Sequence, residues 1–304
     1  MNTLLKKAFM TVNFISGRNM TAEELKKHRT LAEWAGRLAA PKGDITINRF
    51  KVGKIRCEAV KPDFAHNPNF AILYAHGGGY VSGGLDYARI LAGKMAMATG
   101  FTVFSFAYRL APEHTYPAAL DDGLAVWEYL TANKYTADQI LIAGDSAGGN
   151  LALCLVQKLI SQKRDLPKEI LLFSPWTDMT GTASSYETNR NSDPILTGEY
   201  VMNASKAYIG DKDPYDPAFS PLFGDFTGFP PMFIMAGRNG ILLDDSIGLM
   251  EKAEQAGVKV RLDIEEKGWH VYQQMPIPMA KNAMKRLSEY VTDEIYANNP
   301  TLRS

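Results

Sequence analysis

The sequence predicts an α/β domain built on a mostly parallel sheet covered on both faces by helices. Two observations predict it. Several short segments are unbroken apolar runs, such as Ile140-Leu141-Ile142-Ala143 and Ile170-Leu171-Leu172-Phe173, which suit strands buried on both faces. Helical patterns alternate with these runs, the order a doubly wound sheet requires. A chain of 304 residues, 46% of them hydrophobic, can build the core of one such domain.

A helix is expected first, over 21–38. Thr21 and Glu24 form a capping box, Leu31, Trp34, Ala35 and Leu38 share one face, and Pro41 and Gly43 end it. An amphipathic stretch rich in Phe and Met precedes it. Strands are expected over 45–52, 54–60, 70–75, 102–107, 139–143, 169–173, 231–235 and 258–264. The first two lie so close together that an antiparallel hairpin at one edge is expected. Helical patterns fall around 91–97, 118–132, 151–162 and 247–256. One segment, 177–225, breaks the alternation: it carries polar turns, several prolines and a single helix near 200–209. Long insertions in compact domains are usually functional. The expected organisation is one domain over 1–304, with a cap built from about 1–42 plus the insertion at about 177–225.

Composition narrows the function classes. Lys and Arg total 33, as do Asp and Glu, so no global field draws nucleic acid or an acidic membrane. Cys57 and Cys154 offer neither a metal-site spacing nor a disulfide framework and are expected as buried, inert thiols. Lys6 and Lys7 precede an apolar stretch over 8–15, but Thr11 and Asn13 interrupt it and no clean cleavage site follows. No run has the length of a membrane helix. A cytoplasmic protein without stable membrane insertion is expected, and a homodimer is left open.

Three motifs carry chemistry. Gly144-Asp145-Ser146-Ala147-Gly148 follows a buried strand and precedes a helical run of Ala, Leu and Val. That is the setting in which G-x-S-x-G presents a nucleophile on a strained strand-to-helix turn. Side chains two residues either side of the serine would collide with the turn, so glycines stand there. The following helix N-terminus favours a developing oxyanion. His76-Gly77-Gly78-Gly79-Tyr80 follows the strand ending at Ala75. Its glycines allow close backbone approach and free N–H groups for an oxyanion hole. A phosphate cradle would want a Lys and a Ser or Thr after the glycines, and none is there. Of five histidines, His28 and His66 are expected in solvent, His76 organises the glycine loop, and His114 lies in a loop-like stretch. His270 follows the last strand, where the general base belongs when the order is serine, acid, histidine.

Together these residues resemble the bacterial hormone-sensitive-lipase family of carboxylesterases. The resemblance is carried by His76-Gly77-Gly78-Gly79-Tyr80, Tyr108-Arg109-Leu110-Ala111-Pro112-Glu113-His114, Gly144-Asp145-Ser146-Ala147-Gly148-Gly149-Asn150, Ser174-Pro175-Trp176-Thr177-Asp178, Asp193-Pro194, Ser220-Pro221-Leu222 and Leu243-Asp244-Asp245-Ser246. These run in family order across nearly the whole chain. The resemblance implies an α/β-hydrolase fold with eight mostly parallel strands and a helical cap. It implies hydrolysis of short-to-medium acyl esters, a small-molecule substrate and no cofactor or metal. It also implies oxyanion donors at the amides of Gly78, Gly79 and Ala147. Ser146 would attack the ester carbonyl, His270 would take the proton, and an acyl-enzyme would form and be hydrolysed. An amidase or deacetylase on the same site, or a ligand-binding protein on a disabled hydrolase scaffold, are the alternatives.

Two departures stand out. The family often carries Ser/Thr-x-His shortly after the glycine loop, where this chain has Asp86-Tyr87-Ala88-Arg89. The acid after the seventh strand falls at Gly240, in Gly237-Arg238-Asn239-Gly240-Ile241-Leu242-Leu243-Asp244. In well-studied serine proteases, loss of the acid alone lowers kcat by roughly 10⁴. Asp244 is the favoured replacement, with Asp245 the alternative or a helix cap. Asp263, Glu265 and Glu266 precede His270 but lie on the strand and its exit.

Overall fold

The computed structural model describes residues 21–41 and 43–296; the Phe- and Met-rich stretch and the rest of 1–20 lie outside the described residues. Eight strands form one sheet. They are β1 (Ile45–Val52), β2 (Ile55–Pro62), β3 (Ala71–Ala75), β4 (Thr102–Phe106), β5 (Ile140–Asp145), β6 (Glu169–Phe173), β7 (Met232–Gly237) and β8 (Val260–Glu265), in the spatial order β1-β2-β4-β3-β5-β6-β7-β8. β1 and β2 form the expected edge hairpin, and β2 also runs antiparallel to β4. All remaining pairs are parallel.

The helices are α1 (Ala22–Ala39), α2 (Leu85–Thr99), α3 (Ala118–Asn133), α4 (Ala147–Ser161), α5 (Ser185–Thr188), α6 (Gly198–Ile209), α7 (Leu243–Gln255) and α8 (Pro278–Tyr296). Successive strand residues alternate between two cores, as the pleat dictates. Ile140, Ile142, Ile170 and Leu172 pack with Leu151, Leu155 and Leu159 of α4. Leu141, Ala143, Leu171 and Phe173 pack with Leu91 and Met95 of α2 and Leu287 and Val291 of α8. The central strands β3 to β7 are buried on both faces, which explains their largely apolar sequences. α8 was not anticipated, although Ala280, Ala283, Leu287, Tyr290 and Val291 are buried at helical spacing. α4 begins earlier than expected, directly at Ala147. Cys57 and Cys154 are free and buried, as expected.

Strand order reverses about β3, which lies between β4 and β5. Open α/β sheets bind ligands in the crevice beyond such a switch point, at the carboxyl ends of the strands. The glycine loop leaves β3 at this crevice and Ser146 leaves β5 beside it. α1 crosses the same end. The capping box of Thr21 and Glu24 starts it, and its Gly36 packs so closely on α2 that an added Cβ would lie 2.4 Å from Asp86 O. Glu33 accepts from the first amides of α2, Asp86 N and Tyr87 N. Arg29 donates to Val81 O and Ala111 O and pairs with Glu113. These bonds tie α1 to the chain that follows the glycine loop. No helix among the described residues is long and apolar enough to cross a membrane.

Candidate active site

Ser146 is held at φ 53°, ψ −121°, a conformation a non-glycine residue adopts only when its surroundings enforce it. The enforcement comes from close chain approach. A Cβ at Gly144 would lie 2.1 Å from Gly148 O, and one at Gly148 would lie 2.0 Å from Ala75 O. Both glycines are therefore demanded sterically. Ser146 N donates to Phe173 O at 3.0 Å, and Ser146 O accepts from Trp176 N at 3.0 Å, which locks the turn onto β6.

The turn delivers Ser146 Oγ to 3.0 Å from His270 Nε2. His270 sits in the loop after β8, fastened by Asn239 N to Gly268 O at 2.9 Å and by Val271 N to Ser174 Oγ at 3.2 Å. Burial pushes its imidazole down to about 3, so the ring is neutral and can accept the serine proton.

Gly78, Gly79, Ser146 and His270 line one cavity of about 90 Å³. Gly78 and Gly79 take φ of 110° and 63°, the left-handed geometry that aims successive amides. Among the described residues, no acceptor takes the amides of Gly78, Gly79 or Ala147. Ala147 lies directly behind the serine as the first residue of α4. The three amides are free to meet negative charge on a substrate oxygen beside Ser146.

The loop is braced by residues the sequence argument had not singled out. Asp145, buried at the end of β5, accepts from Tyr74 OH at 2.5 Å, Gly77 N at 2.8 Å, Gln274 Nε2 at 3.1 Å and Tyr87 OH at 3.4 Å. Burial pushes its carboxyl up to about 6, against the pull of these donors. Tyr87 thus does bracing work in the stretch that lacks Ser/Thr-x-His. A charged residue ending an otherwise apolar strand was the available signal. His76 organises the loop as expected: its Nδ1–H donates to Gly77 O at 2.8 Å and its ring stacks on Tyr108 at 4.2 Å. His28 departs from expectation. It is buried rather than in solvent, lines the cavity and meets Tyr200 edge-on, because α1 folds over the crevice; burial pushes it down to about 4. Ala32, Ala35, Ile195, Leu196 and Tyr200 complete that side, and Tyr200 OH donates to Gly78 O at 3.1 Å.

The acid is where the structure corrects the sequence argument. His270 Nδ1 is buried with no hydrogen-bond partner among the described residues. Asp244 does not reach it: its carboxylate accepts from Ser185 N at 2.8 Å while its own amide donates to Ser185 Oγ at 3.1 Å, joining α5 to the first turn of α7. Asp245 neither reaches it nor caps its own helix. It is buried and accepts from Thr177 N at 2.7 Å and Asp178 N at 3.0 Å, and burial pushes it up to about 8. Asp263 and Glu265 pair with Arg286, and Glu266 with Arg238. Gly240 does face the histidine. A Cβ there would lie 3.2 Å from His270 N and 3.5 Å from His270 Cα, and its φ is outside the left-handed region.

With this geometry in place, the comparisons with known proteins are specific. Residues 72–274 match a family described as alpha/beta hydrolase fold. An esterase of Acinetobacter venetianus is 36% identical over 251 residues, 82% of each chain. An acetyl-hydrolase of Streptomyces hygroscopicus is 32% identical over 237 residues, 78% of this chain and 77% of that one. The crystal structure of an esterase from the bacterial hormone-sensitive lipase family superposes with a TM-score of 0.89 at 31% identity, covering 97% of this chain and 99% of that one. The chain belongs to the α/β-hydrolase family, among the esterases related to bacterial hormone-sensitive lipase.

Proposed function

We propose that this protein is a serine carboxylesterase of short-to-medium acyl esters, with Ser146 as nucleophile and His270 as general base. The 3.0 Å contact between Ser146 Oγ and His270 Nε2 carries the proposal. The hydroxyl attacks the ester carbonyl while Nε2 takes its proton. Negative charge on the carbonyl oxygen is met by the amides of Gly78, Gly79 and Ala147, at the N-terminus of α4. His270 then protonates the departing alcohol, and the same groups guide water onto the acyl-enzyme. α1 and the insertion at 177–225 act as the cap that limits the pocket. A cytoplasmic setting is the one we propose; the two free, buried thiols fit it.

Ser146→Ala is expected to abolish hydrolysis of p-nitrophenyl esters and leave the thermal melt in place. An alanine variant keeping a tenth of wild-type kcat would end the assignment.

The cavity is small and the cap contributes His28, Ile195, Leu196 and Tyr200 to it, so acyl chains of about eight carbons or fewer should be preferred. The acetyl-hydrolase relative supports this direction. A profile over acyl length tests it: faster turnover of long-chain triglycerides than of butyrate esters contradicts it.

Asp244→Asn should leave kcat within about twofold, since its carboxylate serves Ser185, and should lower the melting temperature by a few degrees through the weakened tie between α5 and α7. A nearly inactive, well-folded variant would restore Asp244 as the acid.

Gly240→Asp should raise kcat at least tenfold, about 1.4 kcal/mol, with KM changing less, because a carboxylate on Nδ1 acts mainly in the transition state. The new Cβ requires the His270 main chain to move by a few tenths of an ångström. A thermal melt run alongside separates that cost from any failure of the acid to act. No gain in a well-folded variant refutes the expectation.

A further inference from the structure

One carboxylate stands against His270 that nearness in sequence did not suggest. Asp193, buried in the insertion, accepts through Oδ1 from Ile195 N at 2.9 Å and Leu196 N at 3.1 Å, and through Oδ2 from Ile241 N at 3.1 Å. The main-chain N–H of His270 also pulls this carboxyl down, the weakest of the four amides that do. The carboxylate therefore joins three segments: its own turn, which supplies Ile195 and Leu196 to the cavity wall, the turn holding Gly240 and Ile241, and the loop carrying the histidine. The Cβ that Gly240 lacks would approach that same His270 amide. Asp193 and the empty side-chain position at 240 converge on one residue.

We propose that Asp193 takes over for His270 the part that an acid at position 240 would play, fastening its main chain and supplying the negative charge that stabilises the imidazolium. This rests on the serine-esterase proposal above. Asp193 is a positioning residue: it holds the turn of Gly240 and Ile241 that faces the histidine's amide, and does not touch the reacting atoms. Its leverage is electrostatic, because in a water-excluded site a nearby charge acts strongly on a forming imidazolium even without a direct hydrogen bond to the ring. No other side chain around the cavity competes for that role among the described residues. The titratable groups lining it with His270 are His28, Tyr87 and Tyr200. Burial holds each of them neutral, the histidine down at about 4 and the phenols up, Tyr200 to about 12. Asp145 is spent on Tyr74, Gly77, Tyr87 and Gln274. The four amides pull the Asp193 carboxyl down, but burial outweighs them and pushes it up to about 6. Its charge is present above that pH and fades as pH falls through it.

The test is Asp193→Asn, with kcat and KM measured from pH 5 to 9 and active sites counted with a fluorophosphonate. Expected are a loss in kcat per labelled site of at least tenfold at pH 8, KM within about threefold, and a wild-type-to-variant ratio that narrows toward pH 5, where wild-type Asp193 is itself protonated. A merely structural role would lower the labelled fraction and the melting temperature and leave that ratio constant with pH, which overturns the proposal, as does a kcat within twofold of wild type. Adding Gly240→Asp to Asp193→Asn should restore kcat at least fivefold; no restoration in a folded double variant counts against the proposal. Where Asp193→Asn does not fold, Gly240→Asp alone carries the test. Its acid limb must lie at lower pH than that of wild type, and an unchanged limb overturns the idea. Wild-type protein that fails to label at Ser146 would sink the esterase proposal instead, so the two failures are told apart.

Discussion

The site depends on a chain reversal with almost no room in it. Gly144 and Gly148 bring β5, the start of α4 and the end of β3 within distances at which any Cβ would collide with a carbonyl oxygen. That crowding holds Ser146 at positive φ, where its hydroxyl leaves the sheet instead of returning to it. The same turn aligns the Ala147 amide with the glycine loop, because Gly148 packs on Ala75 O and the loop departs immediately after Ala75. Ser146 and the amides we propose as oxyanion donors are thus placed by one steric constraint rather than by separate devices. Strain of this kind persists only where the surroundings over-determine it, and here two parallel strands buried on both faces supply that rigidity.

Asp145 extends the constraint from backbone to polar network. As the last residue of β5 it cannot reach solvent, so its carboxylate must be met from within the protein. Tyr74, Gly77, Tyr87 and Gln274 converge on it. One acceptor therefore couples β3, the glycine loop, the start of α2 and the chain after His270. α1 bears on the same region through Glu33, whose carboxylate accepts from the amide of Tyr87. The helix that roofs the cavity and the residues that floor it share hydrogen-bonded partners, and a shift in one is felt in the other.

Much of this was legible in the sequence, and what was missed has a physical pattern. The strand at 169–173 was placed to the residue because a buried parallel strand leaves an unmistakable apolar run, and 45–52 because its alternation marks a half-exposed edge strand. The turn at Ser146 was legible because only glycine fits beside it. α4 was begun late because Ala147-Gly148-Gly149 has weak helix propensity, which the tertiary packing overrides. α8 was overlooked although its buried spacing is regular, its start being masked by Pro276 and Pro278. His28 looked like a surface residue because nothing local reports that α1 will fold over a crevice. The acid was sought among Asp244, Asp245 and the acids before His270 because those are near in sequence or on the same loop. Each has another partner instead, and Asp193, which holds the turn facing His270 through Ile241 N, belongs to an insertion far from it along the chain.

Gly240 turns that last point into a statement about energetics. A buried imidazole that must become positively charged faces a large desolvation cost, visible here as a ring pushed down to about 3. An acid bonded to Nδ1 would both fix the tautomer and offset that cost. This chain separates the two tasks. Orientation falls to the main chain, through Val271 N on Ser174 Oγ, Asn239 N on Gly268 O and Ile241 N on Asp193. Charge falls to a carboxylate fixed by amides on several sides and unable to swing freely. With the main chain fastened in this way, Ser146 Oγ and His270 Nε2 already stand at 3.0 Å. What it cannot supply is direct contact with the charge that appears only during attack. The deficit from Gly240 therefore belongs to the barrier and not to substrate binding, and the distance of Asp193 from the ring sets how much of the barrier it can remove.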